Sequence, residues 1–114
     1  AAICTGIAAS YDVAVDLDYE YGYPPTVNDA AKADFASSVA RTLVGDSNVD
    51  ANTKPIFPAE DFAYMLQERP GAYLFLGQGE GGAPVHHPDY DFNDDITPIG
   101  ASFFAKLVET VQPR

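Results

Sequence analysis

The chain has 114 residues, 46% of them hydrophobic, with seven Tyr and seven Phe, which is core material for one compact domain and excludes wholesale disorder. Its formal charge of −11, with the basic residues scattered as Lys32, Arg41, Lys54, Arg69, Lys106 and Arg114, excludes a nucleic-acid surface, and no apolar run is long enough to span a membrane. A lone Cys4 excludes an intramolecular disulfide and any Cys-based zinc knuckle.

In chain order, residues 1–9 place Ile3, Ile7 and Ala8 at helical spacing, with Gly6 weakening the helix and Cys4 expected as a buried, inert thiol. The chain opens without an initiating Met or a charged signal-peptide start, and it reads as the interior of a helix, as in a fragment. The next stretch, YDVAVDLDYE, puts Val13, Val15, Leu17 and Tyr19 on one face and Asp12, Asp16, Asp18 and Glu20 on the other. That alternation predicts a half-buried strand with an antiparallel neighbour. Pro24-Pro25 ends it and marks a change of composition.

Asn28 or Asp29 then caps a helix to about Val44, with Phe35, Val39 and Leu43 on its stripe and Gly45 at the stop. A polar loop and a short apolar run, Pro55 to Phe57, lead to a helix from about Ala59 that turns Phe62, Met65 and Leu66 inward and halts at Pro70-Gly71. AYLFLG, residues 72–77, predicts a strand covered on both sides. GQGEGGAP is expected to be a flexible loop. The closing amphipathic helix, IGASFFAKLVETV, carries Phe103, Phe104, Leu107, Val108 and Val111 on one stripe.

The densest chemistry is PVHHPDYDFNDD, residues 84–95. Asp89, Asp91 and Asn93 match the first three ligand positions of a calcium loop, but the required Gly is Asp94 and the required bidentate Glu is Gly100. Adjacent side chains in extended backbone point oppositely, so His86 and His87 do not both face one ion. By spacing alone they read as an exposed loop pair, because zinc sites take three or four protein ligands. Glu60-Asp61 is explained as the acidic start of a helix, and Asn28 as a helix cap. The glycines at 77, 79, 81 and 82 lack the Gly-Lys-Ser/Thr ending of a phosphate loop, and Ser37-Ser38 has no His near it in sequence.

Three stretches taken together say more: YGYPPTVND, PAEDFAYMLQERPGAYLFLGQG and VHHPDYDFNDDITPIGASFFAKLVE. In this order and spacing they resemble the C-terminal third of the metal-dependent amidohydrolases that include hippurate hydrolase, N-acyl-amino-acid amidohydrolases and auxin-conjugate hydrolases. Pro58 departs from the pattern, since the family usually has Gly before the Glu-Asp-Phe run.

The resemblance implies an α/β fold: the closing part of a mixed-sheet, two-metal peptidase-like catalytic domain, preceded by the last helix and strand of an α+β lid domain. Residues 1–23 would belong to the lid and dimerisation domain and residues 24–114 to the catalytic domain. It implies one metal ligand, His86, and a substrate-binding residue, Asn28, near the substrate carboxylate; Glu60 and Asp61 would support the site, and no catalytic residue lies in this stretch. The cofactors implied are two divalent ions, manganese or zinc, with cobalt or nickel also suited to such ligands. The reaction implied is hydrolysis of an N-acyl-amino-acid amide by water held between the metals, in a cytoplasmic homodimer, with this stretch alone incomplete and inactive. The alternative is a non-catalytic remnant or interaction module that folds by dimerisation.

Overall fold

The computed structural model describes residues 1–112, so Arg114 lies outside the described residues. Four α-helices carry the regular structure: α1 (Ala2–Tyr11), α2 (Ala30–Val44), α3 (Phe62–Glu68) and α4 (Thr97–Val111). Single 3-10 turns follow α2 at Asp46–Asn48 and precede α4 at Asp94–Ile96.

Local chemistry explains the helix limits. Asp29, in extended conformation, caps α2 by accepting a 3.0 Å hydrogen bond from the Lys32 N–H through Oδ1. At the other end the Gly45 N–H donates to the Arg41 carbonyl, with Gly45 at φ 83°, where a side chain would be strained. α1 ends at Asp12, whose left-handed φ of 49° lets the following Val13 N–H donate back to the Ala8 carbonyl at 3.1 Å. α3 is shorter than expected, starting at Phe62, while α4 starts two residues before Ile99 with Pro98 in its first turn.

The expected α/β class is wrong for this chain: among the described residues there is no strand and no sheet. Residues 12–20 and 72–77 have the composition of strands but make no ladder bonds with each other or with any other segment. The reason is physical. A helix closes its hydrogen bonds within one segment, whereas a strand needs a neighbour in register. The face expected to be buried is therefore open: Val13, Val15 and Leu17 are 52%, 45% and 46% exposed. Phe75, expected to be covered on both sides, is 67% exposed.

The expectation of a compact domain is corrected as well. The chain measures 70 × 35 × 22 Å, and its radius of gyration of 20.7 Å compares with about 13 Å for a compact chain of this length. Its accessible surface is 9801 Å2, against roughly 6,100 Å2 for a folded monomer of this mass. The buried apolar residues are few and small: Ala36 and Val39 on α2, Ala63 on α3. α2 packs against α4, with the half-buried Phe35 and Leu107 beside one another, whereas among the described residues α1 touches no other helix and leaves Ile3 exposed. Met65 faces solvent rather than inward, and Cys4 is half-buried rather than enclosed.

What does join distant parts is the segment after α3. Gly71 lies so close to α3 that a Cβ there would sit 3.2 Å from Leu66 Cδ2 and 3.6 Å from Phe62 Cζ. This approach lets the Gly71 carbonyl accept from the Asp29 N–H at 2.9 Å, tying the start of α2 to the end of α3.

Candidate functional site

His86 and His87 are both exposed, but the fold treats them differently. Residues 84–90 form two successive turns, closed by His87 N–H to the Pro84 carbonyl at 3.1 Å and Tyr90 N–H to the His87 carbonyl at 3.0 Å. Within them His87 Nδ1 accepts from the Asp89 N–H at 3.1 Å and lies 3.8 Å from the Asp89 carboxylate. One ring nitrogen of His87 is thus spent on the turn. His86 sits at φ 70°, one of two non-glycine residues with positive φ among those described, and its imidazole has no hydrogen-bond partner there. A left-handed non-glycine residue costs about 1–2 kcal/mol, and such residues gather at functional positions. His86 is therefore an exposed residue whose imidazole has no hydrogen-bond partner among the described residues, on a strained turn.

No group of three His, Cys, Asp or Glu side chains among the described residues is arranged to hold a metal. The donor set here fits a divalent ion only as one imidazole ligand, since a closed centre takes three or four.

Asn28 lies elsewhere. Its Nδ2 donates to the Tyr73 carbonyl at 3.0 Å while its Oδ1 accepts from the Tyr73 N–H at 2.8 Å. With Asp29, Leu66, Arg69 and Gly71 it lines an open depression of about 410 Å3, to which His86 does not contribute. The two residues singled out from the sequence are not brought together among the described residues.

Glu60 and Asp61 organise the tyrosines around α3. Glu60 Oε1 accepts from the Phe62 N–H at 3.2 Å, covering the helix start. The Glu60 carboxylate facing its hydroxyl, with lesser help from partial burial, raises the Tyr73 pKa, and the Asp61 carboxylate likewise raises the Tyr23 pKa. In each case the carboxylate favours the neutral phenol. The rings follow: Phe62 stacks at 5.6 Å from Tyr73, and Tyr64 at 5.6 Å from Tyr23.

Sequence reasoning missed Gln78. In the glycine-rich stretch expected to be a flexible loop, Gly79 and Gly81 adopt φ of 96° and 91° and turn the chain back. Gln78 then meets Tyr90, whose hydroxyl donates to Gln78 Oε1 at 3.1 Å, and Asn93, whose Nδ2 donates to the Gln78 carbonyl at 2.8 Å. Asn93, considered above as a calcium ligand, also caps the following 3-10 turn by accepting from the Asp95 N–H at 3.1 Å. A polar residue between glycines, twelve and fifteen positions before an aromatic hydroxyl and an amide, was the one available signal.

Comparison with known proteins bears on the whole stretch. The family model for "Peptidase family M20/M25/M40" matches residues 3–110. Hippurate hydrolase of Campylobacter jejuni is 36% identical over 105 residues, covering 92% of this chain and 27% of that protein. IAA-amino acid hydrolase ILR1-like 4 of Arabidopsis thaliana is 34% identical over 89 residues, covering 75% of this chain and 20% of the relative. Putative amidohydrolase YhaA of Bacillus subtilis is 34% identical over 108 residues, 91% of this chain and 27% of its own length. No solved structure matches. The chain thus spans about a quarter of the length of these relatives. Of the described residues, no helix is long and apolar enough to cross a membrane. With nearly its entire length matched by one family model, this chain belongs to peptidase family M20/M25/M40.

Proposed function

We propose that this chain supplies the C-terminal part of a metal-dependent amidohydrolase acting on N-acyl-amino-acid amides of the hippurate kind, with His86 as one ligand of a two-metal centre. Family membership and relatives named hippurate hydrolase, IAA-amino acid hydrolase and N-acetyldiaminopimelate deacetylase support the reaction class. One observation carries the assignment of the ligand: His86 offers an unpartnered imidazole on a left-handed turn, while its neighbour's Nδ1 is committed to Asp89.

Divalent ions of manganese or zinc would supply an activated water at neutral pH and polarise the scissile carbonyl. The chain's own contribution is to present one imidazole from a turn whose backbone is closed by hydrogen bonds. Asn28, through the one Nδ2 proton left free by Tyr73, would donate to the substrate carboxylate beside the depression it lines. In this reading residues 1–23 belong to a lid and residues 24–114 to the catalytic domain, and the protein is a homodimer. The large accessible surface of the chain supports assembly, and a monomeric mass in light scattering would argue against the dimer.

The test uses the full-length protein with hippurate as substrate. His86→Ala should lower metal content and abolish turnover, and His87→Ala should do neither. The opposite pattern would assign the ligand to His87.

A further inference from the structure

Between residues 77 and 95 nearly everything is exposed, and the exceptions are Gln78, Ala83, Tyr90 and Asn93. These four are also the residues joined by hydrogen bonds through Gln78. Ala83 precedes the turns that carry His86 and Tyr90 closes them, so the Gln78 amide spans the neck of the segment.

We infer that Gln78 is a positioning residue for His86, resting on the reading of His86 as a metal ligand. His86 makes no hydrogen bond of its own among the described residues, so what aims it is the backbone of residues 84–90, which sets where its Cα–Cβ bond points. That backbone is two turns long and exposed, and it would lose its register without a closure at its base. Glutamine suits the neck because one planar group provides an acceptor for the Tyr90 hydroxyl and a donor for the Ala83 carbonyl. The Ala83 contact, at 3.5 Å, is the weakest; the Tyr90 bond at 3.1 Å and the Asn93 bond at 2.8 Å carry the closure. The Asn93 bond uses the Gln78 backbone and survives any side-chain change, so the side chain's separable part is the link to Tyr90. Groups behind a metal ligand that fix its orientation typically change metal affinity by ten- to a hundredfold when removed.

The experiment uses the full-length protein, with Mn2+ alone as the probe, and reads Mn2+ affinity, melting temperature and amide exchange over residues 84–90 in the metal-free state. Gln78→Ala and Tyr90→Phe should each weaken Mn2+ binding about tenfold and speed exchange of the Tyr90 amide. The double variant should be no weaker than the worse single one, because both remove the same bond. Unchanged Mn2+ affinity, even with faster exchange or a lower melting temperature, would reduce Gln78 to a scaffold residue and overturn the inference. Tyr90→Phe removes only a hydroxyl and decides the matter if Gln78→Ala fails to fold. His86→Ala is measured alongside. If it keeps full Mn2+ affinity, the ligand reading itself fails; if it loses affinity while Gln78→Ala and Tyr90→Phe do not, only the positioning role fails.

Discussion

Asn28 and Tyr73, 45 residues apart, are joined by two hydrogen bonds in which the Asn28 side chain occupies both backbone groups of Tyr73, at 3.0 and 2.8 Å. A side-chain amide here does what a neighbouring strand would do for a single residue. Beside it, the Asp29 N–H reaches the Gly71 carbonyl, so three hydrogen bonds fasten the start of α2 to the segment after α3.

Asn28→Ala should therefore loosen this junction. Both Tyr73 groups lose their partner, but the site is exposed and water replaces it, which limits the cost to about 1 kcal/mol. Asn28→Asp keeps the acceptor for the Tyr73 N–H and places a carboxylate against the Tyr73 carbonyl, so it should recover none of the loss. Urea midpoints of the three proteins check the order.

Asp29→Ala removes the cap of α2 and should cost about 1 kcal/mol, while Asp29→Asn should restore most of it. The helical signal in circular dichroism, followed through a denaturant titration, reads both.

At His86 the backbone makes a separate prediction. Both His86→Ala and His86→Gly remove the imidazole, but only glycine relieves the left-handed φ of 70°. The glycine variant should be at least as stable as the alanine variant, by up to about 1 kcal/mol. A glycine variant clearly less stable than the alanine one would show that the turn is not strained.

The tyrosines set an alkaline limit. Tyr23 and Tyr73 have pKa values raised above the usual tyrosine value of about 10, by the Asp61 and Glu60 carboxylates beside them respectively. A phenol that ionises later in the folded than in the unfolded chain contributes stability that is complete below pH of about 10. This contribution disappears as pH rises through the folded value. Tyrosinate absorbance should show two late-titrating groups, and Glu60→Gln should move the Tyr73 titration back towards the ordinary value.

Residue chemistry alone was enough to place α2, because a capping Asp29 and a terminal Gly45 act within a turn of the helix they delimit. It was enough to place α4 within two residues, and to bring out the resemblance to the family that matches residues 3–110. It misread residues 11–20 and 72–77, where alternating or continuous apolar residues describe a face without supplying the neighbour that would cover it.

What the sequence by itself determined about this protein is thus the part settled locally: the ends of α2, α4 to within two residues, the acidic composition, and the type of residue offered at 86. What only the tertiary structure decided depends on groups far apart in the chain. Asn28 meets Tyr73 because α3 and Gly71 pack closely, and Gln78 meets Tyr90 and Asn93 because Gly79 and Gly81 reverse the backbone. The different settings of the two adjacent histidines belong there too: a positive φ at His86 and a spent ring nitrogen at His87.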